Sequence, residues 1–554
     1  MLCFATLFQY FQMTNRVGRR VVSTKNMGST KGKFVLTAFL FQAIWISGCQ
    51  SSTTASSGAS PNAPSPSASL IPQLTTGSVT ATQNPLVARY TIVPPRNGNI
   101  TIEFGPDTNY GLQTATTRQI SVLVAGMRQF TTYHMRARID FDDGTEAFDS
   151  DHTFTTGGLQ PKRIPNVTVT RPGNLQPNPG IELVDAVSLT SIPNTDPVDA
   201  AGFDLNGNMI WFHDLQDGTQ LDSSFPIKML PNGDFLMVVV GAFNGVREIN
   251  LAGETISQLS TPSVNQALSQ AGISTVLNSL HHDILPLSNG HLILLANTIK
   301  TFNDLPGFPG ETQVNGDVLV DLDEHRNPVW VWSTFDHLDI HRQPLSFPDW
   351  THANAIIYSP DDGNLILSMR NQNWVIKINY KDGRGDGNIL WRLGLGGDFV
   401  IPSGGPADFN YAQHYPVLIG GKSSGVFPLM MFDNGNNRIM DSSGTVCGSP
   451  AVRCYSRPVI FQLDETAKTA QILWQYKLPV FSLCCGSINV LENGNAEFDI
   501  ATFVVTPAFS SRVQEVTQDA NPQLVWQMDL HGQLAYRAFR IPSLYPGVEW
   551  KSLP

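Results

Sequence analysis

The chain has 554 residues, too many for one ordinary domain of roughly 100–200, so one small and one large unit are expected. Charged residues make up only 15% and hydrophobic ones 41%, and 46 Gly with 37 Pro favour turn-dense β structure over long helices. A net charge of -11 argues against nucleic acid, which needs a clustered Lys/Arg surface; an anionic small substrate would need a local positive pocket.

Residues 1–49 read as an export region. Lys31 and Lys33 precede the uncharged run FVLTAFLFQAIWISG (34–48), too short for a membrane span of about 20 residues but suited to a signal-peptide apolar segment. The run ends in ISGC, which resembles the lipobox of bacterial lipoproteins, with Cys49 as the lipidated first mature residue and Met27 as the true start. A plain cleaved secretory signal is the alternative. The expected location is the bacterial cell envelope, anchored to the membrane by lipid on the periplasmic side or the cell surface. Residues 50–74 are Ser/Thr/Ala/Pro-rich, and their uncharged stretch cannot bury enough apolar surface to fold, so they read as a disordered tether.

Between 75 and 158, short alternating segments (ARYTIVP, NITIEFG, ISVLVAG, TYHMRARIDF) are separated by Pro, Gly and Asn turns, which predicts a small antiparallel β-sandwich resembling a fibronectin type III module. No acid/base or metal cluster occurs in it. From 175 to 554 a two-part repeat follows. Inner hairpins carry Gly/Asn turns (LPNGDFLMV, LSNGHLILL, PDDGNLILS, LENGNAEFD), and outer hairpins end in an apolar residue before Trp211, Trp330, Trp391, Trp474 and Trp526, with Ile256 in one further copy. Six repeats of four short strands predict an all-β fold, a six-bladed β-propeller whose blades ring a central channel. Residues 536–544 are expected to close the ring on the first blade. A stacked β-solenoid would have shorter repeats.

Three repeats carry histidine at the same place, entering the inner strand: His281 and His282 in LHHDILPLSNG, His352 in DWTHANAIIYSP, and His414 in AQHYPVLIGG. Ring closure would gather these imidazoles at the channel mouth. Asn354 points the same way as His352, since side chains alternate along a strand. Arg370 follows in LILSMR, and Asn434 and Arg438 lie in FDNGNNR. Asp283, Asp361 and Asp362 read as turn residues, and Arg438 and Arg457 also fit structural ion pairs. Of the remaining cysteines, Cys447 and Cys454 flank a short loop and are a candidate disulfide, while adjacent Cys484 and Cys485 are not assignable.

Taken together, HHDILPLSNG, HANAIIYSPDDGNLILSMRNQNWVIKIN, QHYPV and FDNGNNR resemble the bacterial arylsulfate sulfotransferases over roughly residues 200–530. The resemblance implies a periplasmic six-bladed propeller that passes a sulfuryl group from a phenolic sulfate ester to a phenol, through a sulfohistidine and in ping-pong fashion, with no cofactor and no nucleotide sulfate donor. Consistent with that, no GxxxxGK[ST] phosphate loop occurs. The sulfuryl-accepting residue falls on His414, supported by His352, Asn354, Arg370 and His282. His281, Asn434 and Arg438 are expected at the substrate. Members can form homodimers. Where many read SRHQ, this chain has MRNQ, with Asn371 replacing a His.

The chemistry suits these residue types. A covalent intermediate on imidazole splits one hard displacement into two. Charge building on the phenolate and the sulfuryl oxygens calls for Arg370 and preset donors, and a second histidine can move the proton. Two competing functions are a three-His zinc or copper centre using His281, His282, His352 and His414, and a non-enzymatic surface lipoprotein. The first is opposed by the absence of HxH or HExxH spacing and by the nearby Arg370; the second leaves the histidines without a task.

Overall fold

A computed structural model describes residues 76–185, 190–193, 195–215, 223–449, 451–505 and 508–551. The export segment with Cys49 and the tether at 50–74 lie outside the described residues.

Thr132–Phe141 alternates outward and buried side chains along its whole length, the pattern of a strand covered on one face. It pairs with Gly98–Gly105, Glu146–Phe148 and His152–Thr155, and Leu112–Gln113 pairs with the far side of Gly98–Gly105. A second antiparallel sheet is formed by Ser78–Ala81, Ala88–Thr91 and Ser121–Val124. The buried faces of both sheets share one apolar cluster that includes Tyr90, Ile102, Phe104 and Val124.

Six antiparallel sheets make up the rest. The second to fifth each take four consecutive strands: Ser223–Met229 to Thr255–Ser260, Ser279–Pro286 to Pro328–Ser333, Ala353–Ser359 to Ile389–Leu393, and His414–Leu418 to Thr469–Gln475. The sixth runs from Ile488–Val490 to Leu524–Leu530 and gains Val167–Thr170 on its outer edge, so the chain enters this region before residue 175. The first sheet, Ile181–Asp185 to Met209–His213, is completed by Ala538–Ile541 from the other end of the chain, with Ile181 opposite Ile541. The strand expected to close on the first repeat does so.

Packing follows the same cycle. Separate clusters of buried side chains join the second sheet to the third, third to fourth, fourth to fifth, fifth to sixth and sixth to first, and a further one joins first to second and runs on into the front module. The repeated tryptophans lie on the fourth strands, and their indole N–H groups reach the neighbouring sheet: Trp211 donates to Leu251 O, Trp391 to Glu465 Oε1, Trp474 to Asp519 O and Trp526 to Leu205 O. In the third sheet Trp332, not only Trp330, makes such a link, to Gly387 O. Where the second sheet has Ile256, helix α1 (Thr261–Gln270) follows. It is capped by Ser260, whose hydroxyl accepts from Ser263 N, and Val264 and Leu268 fill the gap toward the third sheet.

Tyr545 and Trp550 fix the front module to this body. Tyr545 Oη accepts from Ala125 N and donates to Leu123 O, while Trp550 Nε1 donates to Gln113 O. The ion pairs Arg128–Asp204 and Arg89–Glu254 add to the junction.

Candidate active site

The first strands of successive sheets touch one another; the candidate histidines and Asn354 sit where those strands begin, and Arg370, Asn434 and Arg438 follow the second strands. The entrances are irregular. Pairing slips between Leu280 and Ile284, between Ala353 and Ala355, and between His414 and Val417, leaving two extra residues in the first case and one in each of the others, which re-aim the strand start. His282, His352 and Tyr415 accordingly carry positive φ values of 58°, 49° and 45°. Left-handed backbone costs about 1–3 kcal/mol per non-glycine residue, and it clusters where function requires a fixed side-chain direction.

His281, His282 and His352 are in direct ring contact. The rings of His282 and His352 are 4.7 Å apart, those of His281 and His282 4.9 Å, and Nδ1 of His281 is 2.8 Å from Nδ1 of His282. Phe225 and Tyr536 pack edge-on to His282. Burial, then His352 and His281, hold His282 well below the ordinary imidazole range, so it is neutral. His281 Nε2 lies 3.1 Å from Asp317 Oδ1, so both its nitrogens face protein groups.

His414 is buried, and its tautomer follows from its partners. Cys485 N donates to Nε2 at 3.2 Å, so that nitrogen carries a lone pair; Nδ1 therefore holds the proton and donates to Asn434 Oδ1 at 2.7 Å. The amide orientation of Asn434 is fixed because its Nδ2 donates to Cys485 O. Burial, then Arg370, hold His414 well below its ordinary range, against the opposing bond to Asn434.

Arg370 opens the turn after Asn364–Met369. Its N–H donates to His352 O, and its Nη1 donates to Asn371 Oδ1 at 2.7 Å. Its buried Nε has no protein hydrogen-bond partner among the described residues, and neither does Asn354 Oδ1, whose amide nitrogen donates to Gln413 O. Leaving such a group unsatisfied costs about 1–3 kcal/mol, so each is a candidate ligand contact.

Asn434 and Arg438, expected at the substrate, are otherwise committed. Asn434 holds His414 and the Ser482–Cys485 segment. Arg438 donates to Ala407 O, Phe409 O and Asp433 Oδ2, and Arg457 shares that carboxylate oxygen at 2.8 Å. This is a buried ion-pair knot supporting the loop, and Gly435 permits it: a Cβ there would lie 2.0 Å from Tyr455 O. Asp283 is no turn residue. Its carboxylate pairs with Lys228 at 2.6 Å and Arg537 at 3.3 Å and accepts from Ile356 N.

Three groups went unassigned in the sequence. Arg537, from the closing strand region, donates to His282 O and to Asn354 O, tying two site segments together. Tyr536 Oη also donates to His282 O. Asp349 lies 2.6 Å from His352 Nδ1. The one available signal was an acid three residues before the histidine in DWTH. Cys447 and Cys454 form a disulfide. Cys484 and Cys485 are buried thiols with Sγ atoms 2.9 Å apart. Among the described residues no group of three or more His, Cys, Asp or Glu has the arrangement of a metal centre.

An all-β body that gathers buried neutral imidazoles around an arginine with an unmet donor is suited to holding and transferring an oxyanionic group. The sequence pattern that defines the arylsulfotransferase (ASST) family matches residues 179–537, and the chain belongs to that family. Two curated relatives, both named arylsulfate sulfotransferase AssT, are 31% identical (Escherichia coli O6:H1) and 30% identical (Lelliottia amnigena), each match covering 23% of this chain and 23% of the relative. The chain thus spans less than a quarter of the length of the curated relatives it matches. Similar solved structures include a protein of unknown function from Bacteroides caccae (TM-score 0.38, 9% identity, 65% of this chain and 98% of that one). A member of the DUF4221 family from Bacteroides vulgatus is likewise similar (TM-score 0.30, 9% identity, 68% and 97%). Scores this low carry no argument.

Proposed function

We propose that the six sheets are the blades of a β-propeller and that its imidazole cluster moves a sulfuryl group from a phenolic sulfate ester to a phenol, by a ping-pong mechanism through His414. The observation that carries this reading is the state of His414: neutral, with the proton on Nδ1 and the Nε2 lone pair accepting from Cys485 N, beside an arginine whose Nε has no hydrogen-bond partner among the described residues. Family membership and the AssT relatives support the choice of substrate.

In the first half-reaction the Nε2 lone pair forms a bond to sulfur as the sulfur–aryl oxygen bond breaks, and the electron pair leaves on the phenolate, which takes a proton from a neighbouring imidazole. Arg370 faces the sulfuryl oxygens, and Cys485 N–H, released from Nε2, becomes a further donor to them. In the second half-reaction a phenol gives its proton to the same imidazole and attacks sulfur, and the nitrogen–sulfur bond breaks. Asn354 Oδ1, an acceptor, suits the phenol hydroxyl rather than a sulfuryl oxygen.

The reading extends to location. The Cys447–Cys454 disulfide supports an oxidising compartment, as expected for an exported, Cys49-anchored lipoprotein with the fibronectin-like module as a spacer. Adding an aryl sulfate without acceptor and digesting the protein tests the mechanism: an acid-labile sulfuryl group is expected on the peptide containing His414, and its absence from an enzyme that turns over would overturn the intermediate.

A further inference from the structure

The site holds four imidazoles, and the reaction needs one of them to carry a proton in and out. His414 is the nucleophile. His281 has Nδ1 against His282 and Nε2 against Asp317. His282 is ringed by His281, His352, Phe225 and Tyr536, and the carboxylate next to it in sequence, Asp283, is committed to Lys228 and Arg537. His352 has the closer carboxylate: its Nδ1 lies 2.6 Å from Asp349 Oδ2, in a pair whose side chains are 6% and 16% exposed, against 3.1 Å between His281 and Asp317, and His281 has its other nitrogen against His282 as well.

That carboxylate is itself held. Asn371 Nδ2 donates to Asp349 O at 2.6 Å and to Oδ2 at 3.2 Å, and Asn371 Oδ1 accepts from Arg370 Nη1 at 2.7 Å. The result is one line of contacts, His352–Asp349–Asn371–Arg370, running from an imidazole to the guanidinium that faces the sulfuryl group. We propose, resting on the sulfotransferase reading above, that Asp349, steadied by Asn371, is a positioning residue that makes His352 the acid that protonates the departing phenolate and the base that deprotonates the incoming phenol.

With Nδ1 committed to Asp349, the proton exchanged with the phenol oxygen is the one on Nε2. The imidazolium of His352 and the Asp349 carboxylate are together neutral, which offsets the charge cost of protonating an imidazole in a buried site. Burial would raise the Asp349 carboxyl, but His352, then Arg370, hold it below its ordinary value, so the negative charge is present when needed. The other groups around the pair are His281, His282, His414 and Arg370, together with the Asp317 carboxylate, which is occupied by Thr351 Oγ1, Ala353 N and His281 Nε2. The amide of Asn371 bridges a carboxylate and a guanidinium without adding a titrating group.

The test separates leaving groups. Phenyl sulfate needs its oxygen protonated as it departs, whereas 4-nitrophenyl sulfate does not. For Asp349→Asn, single-turnover sulfurylation by phenyl sulfate is expected to fall on the order of 10²–10⁴-fold, the usual contribution of a positioned acid, with a fall of less than about tenfold for 4-nitrophenyl sulfate. Asp349→Glu restores part of the phenyl sulfate rate. Asn371→Ala, which leaves the Asp349–His352 contact in place, shows the same donor preference with a smaller loss and serves if Asp349→Asn does not fold. Equal slowing of both donors in the variants, while wild type uses both, would show Asp349 to be only structural and overturn this inference alone. Wild type that transfers from neither donor overturns the sulfotransferase reading itself.

Discussion

Asn434 Oδ1 accepts the Nδ1 proton of His414 from 20 residues along the chain, at 2.7 Å, and so favours, together with Cys485 N–H on Nε2, the tautomer that leaves Nε2 unprotonated. Removing that acceptor leaves only the longer contact of Nδ1 to Ala412 O and the Cys485 N–H on Nε2 to hold the tautomer, so the form with the proton on Nε2, which blocks attack, gains population. Asn434→Ala is therefore expected to lower single-turnover sulfurylation by about 10²-fold or more, with donor affinity changed far less, since the wrong tautomer is costly in imidazole catalysis. Stopped-flow measurement with a chromogenic donor reads the rate and the affinity separately.

Arg370 acts in two ways that one variant exposes together. Arg370→Gln removes a charge-bearing donor to the sulfuryl oxygens, for an expected loss on the order of 10²–10³-fold. It also removes the second largest influence, after burial, that keeps His414 from protonating. The acid limb of the pH–rate profile should therefore move toward neutral pH, because less acid suffices to protonate the nucleophile. A loss of rate with no movement of that limb would separate Arg370 from His414.

The sheets make a pH prediction of their own through His213. Burial, then Arg247, push its pKa down to about 3, and its Nε2 has no hydrogen-bond partner among the described residues. In the unfolded chain it titrates near 6.5. Between these values the unfolded state binds one proton more than the folded state, so stability falls as pH falls, by about 1.4 kcal/mol per pH unit from this residue alone. His213→Leu should flatten the decline between pH 6 and pH 4 in urea unfolding, and an unchanged slope would contradict the buried neutral state.

Trp526 bridges the sixth sheet to Leu205 of the first, at the junction where the cycle of sheets meets itself. Trp526→Phe keeps most of the packing and loses one hydrogen bond, an expected cost of about 1 kcal/mol. Trp526→Ala should cost about 3–5 kcal/mol through the cavity it leaves. Thermal unfolding of the two variants orders them.

Much of this arrangement was legible in the chain. Tryptophans after apolar pairs, and Gly/Asn turns such as SNGH with Gly290 at φ 85°, marked outer and inner strands, because a regular period of packing leaves a regular period of residues. The three histidine entrances were legible for the same reason. What was not legible depends on irregular backbone or on pairing across the sheets. Nothing in the sequence announces the register slips at Ala353 or His414 or the reach of Arg537 to His282 and Asn354, and although Arg438 and Arg457 fitted structural ion pairs, their shared partner Asp433 was not legible. A loop arginine looks alike whether it meets an anion from solvent or a buried aspartate.

The strand Ala538–Ile541 and the Arg537 just before it leave the ribosome after every other strand of the six sheets, yet Arg537 ties the segments bearing His282 and Asn354, and the strand completes the first sheet. A polypeptide that stops before Arg537 carries every histidine named above but lacks the latch that draws them together. The imidazole cluster is thus held by a contact that forms only after every histidine-bearing strand has been synthesised.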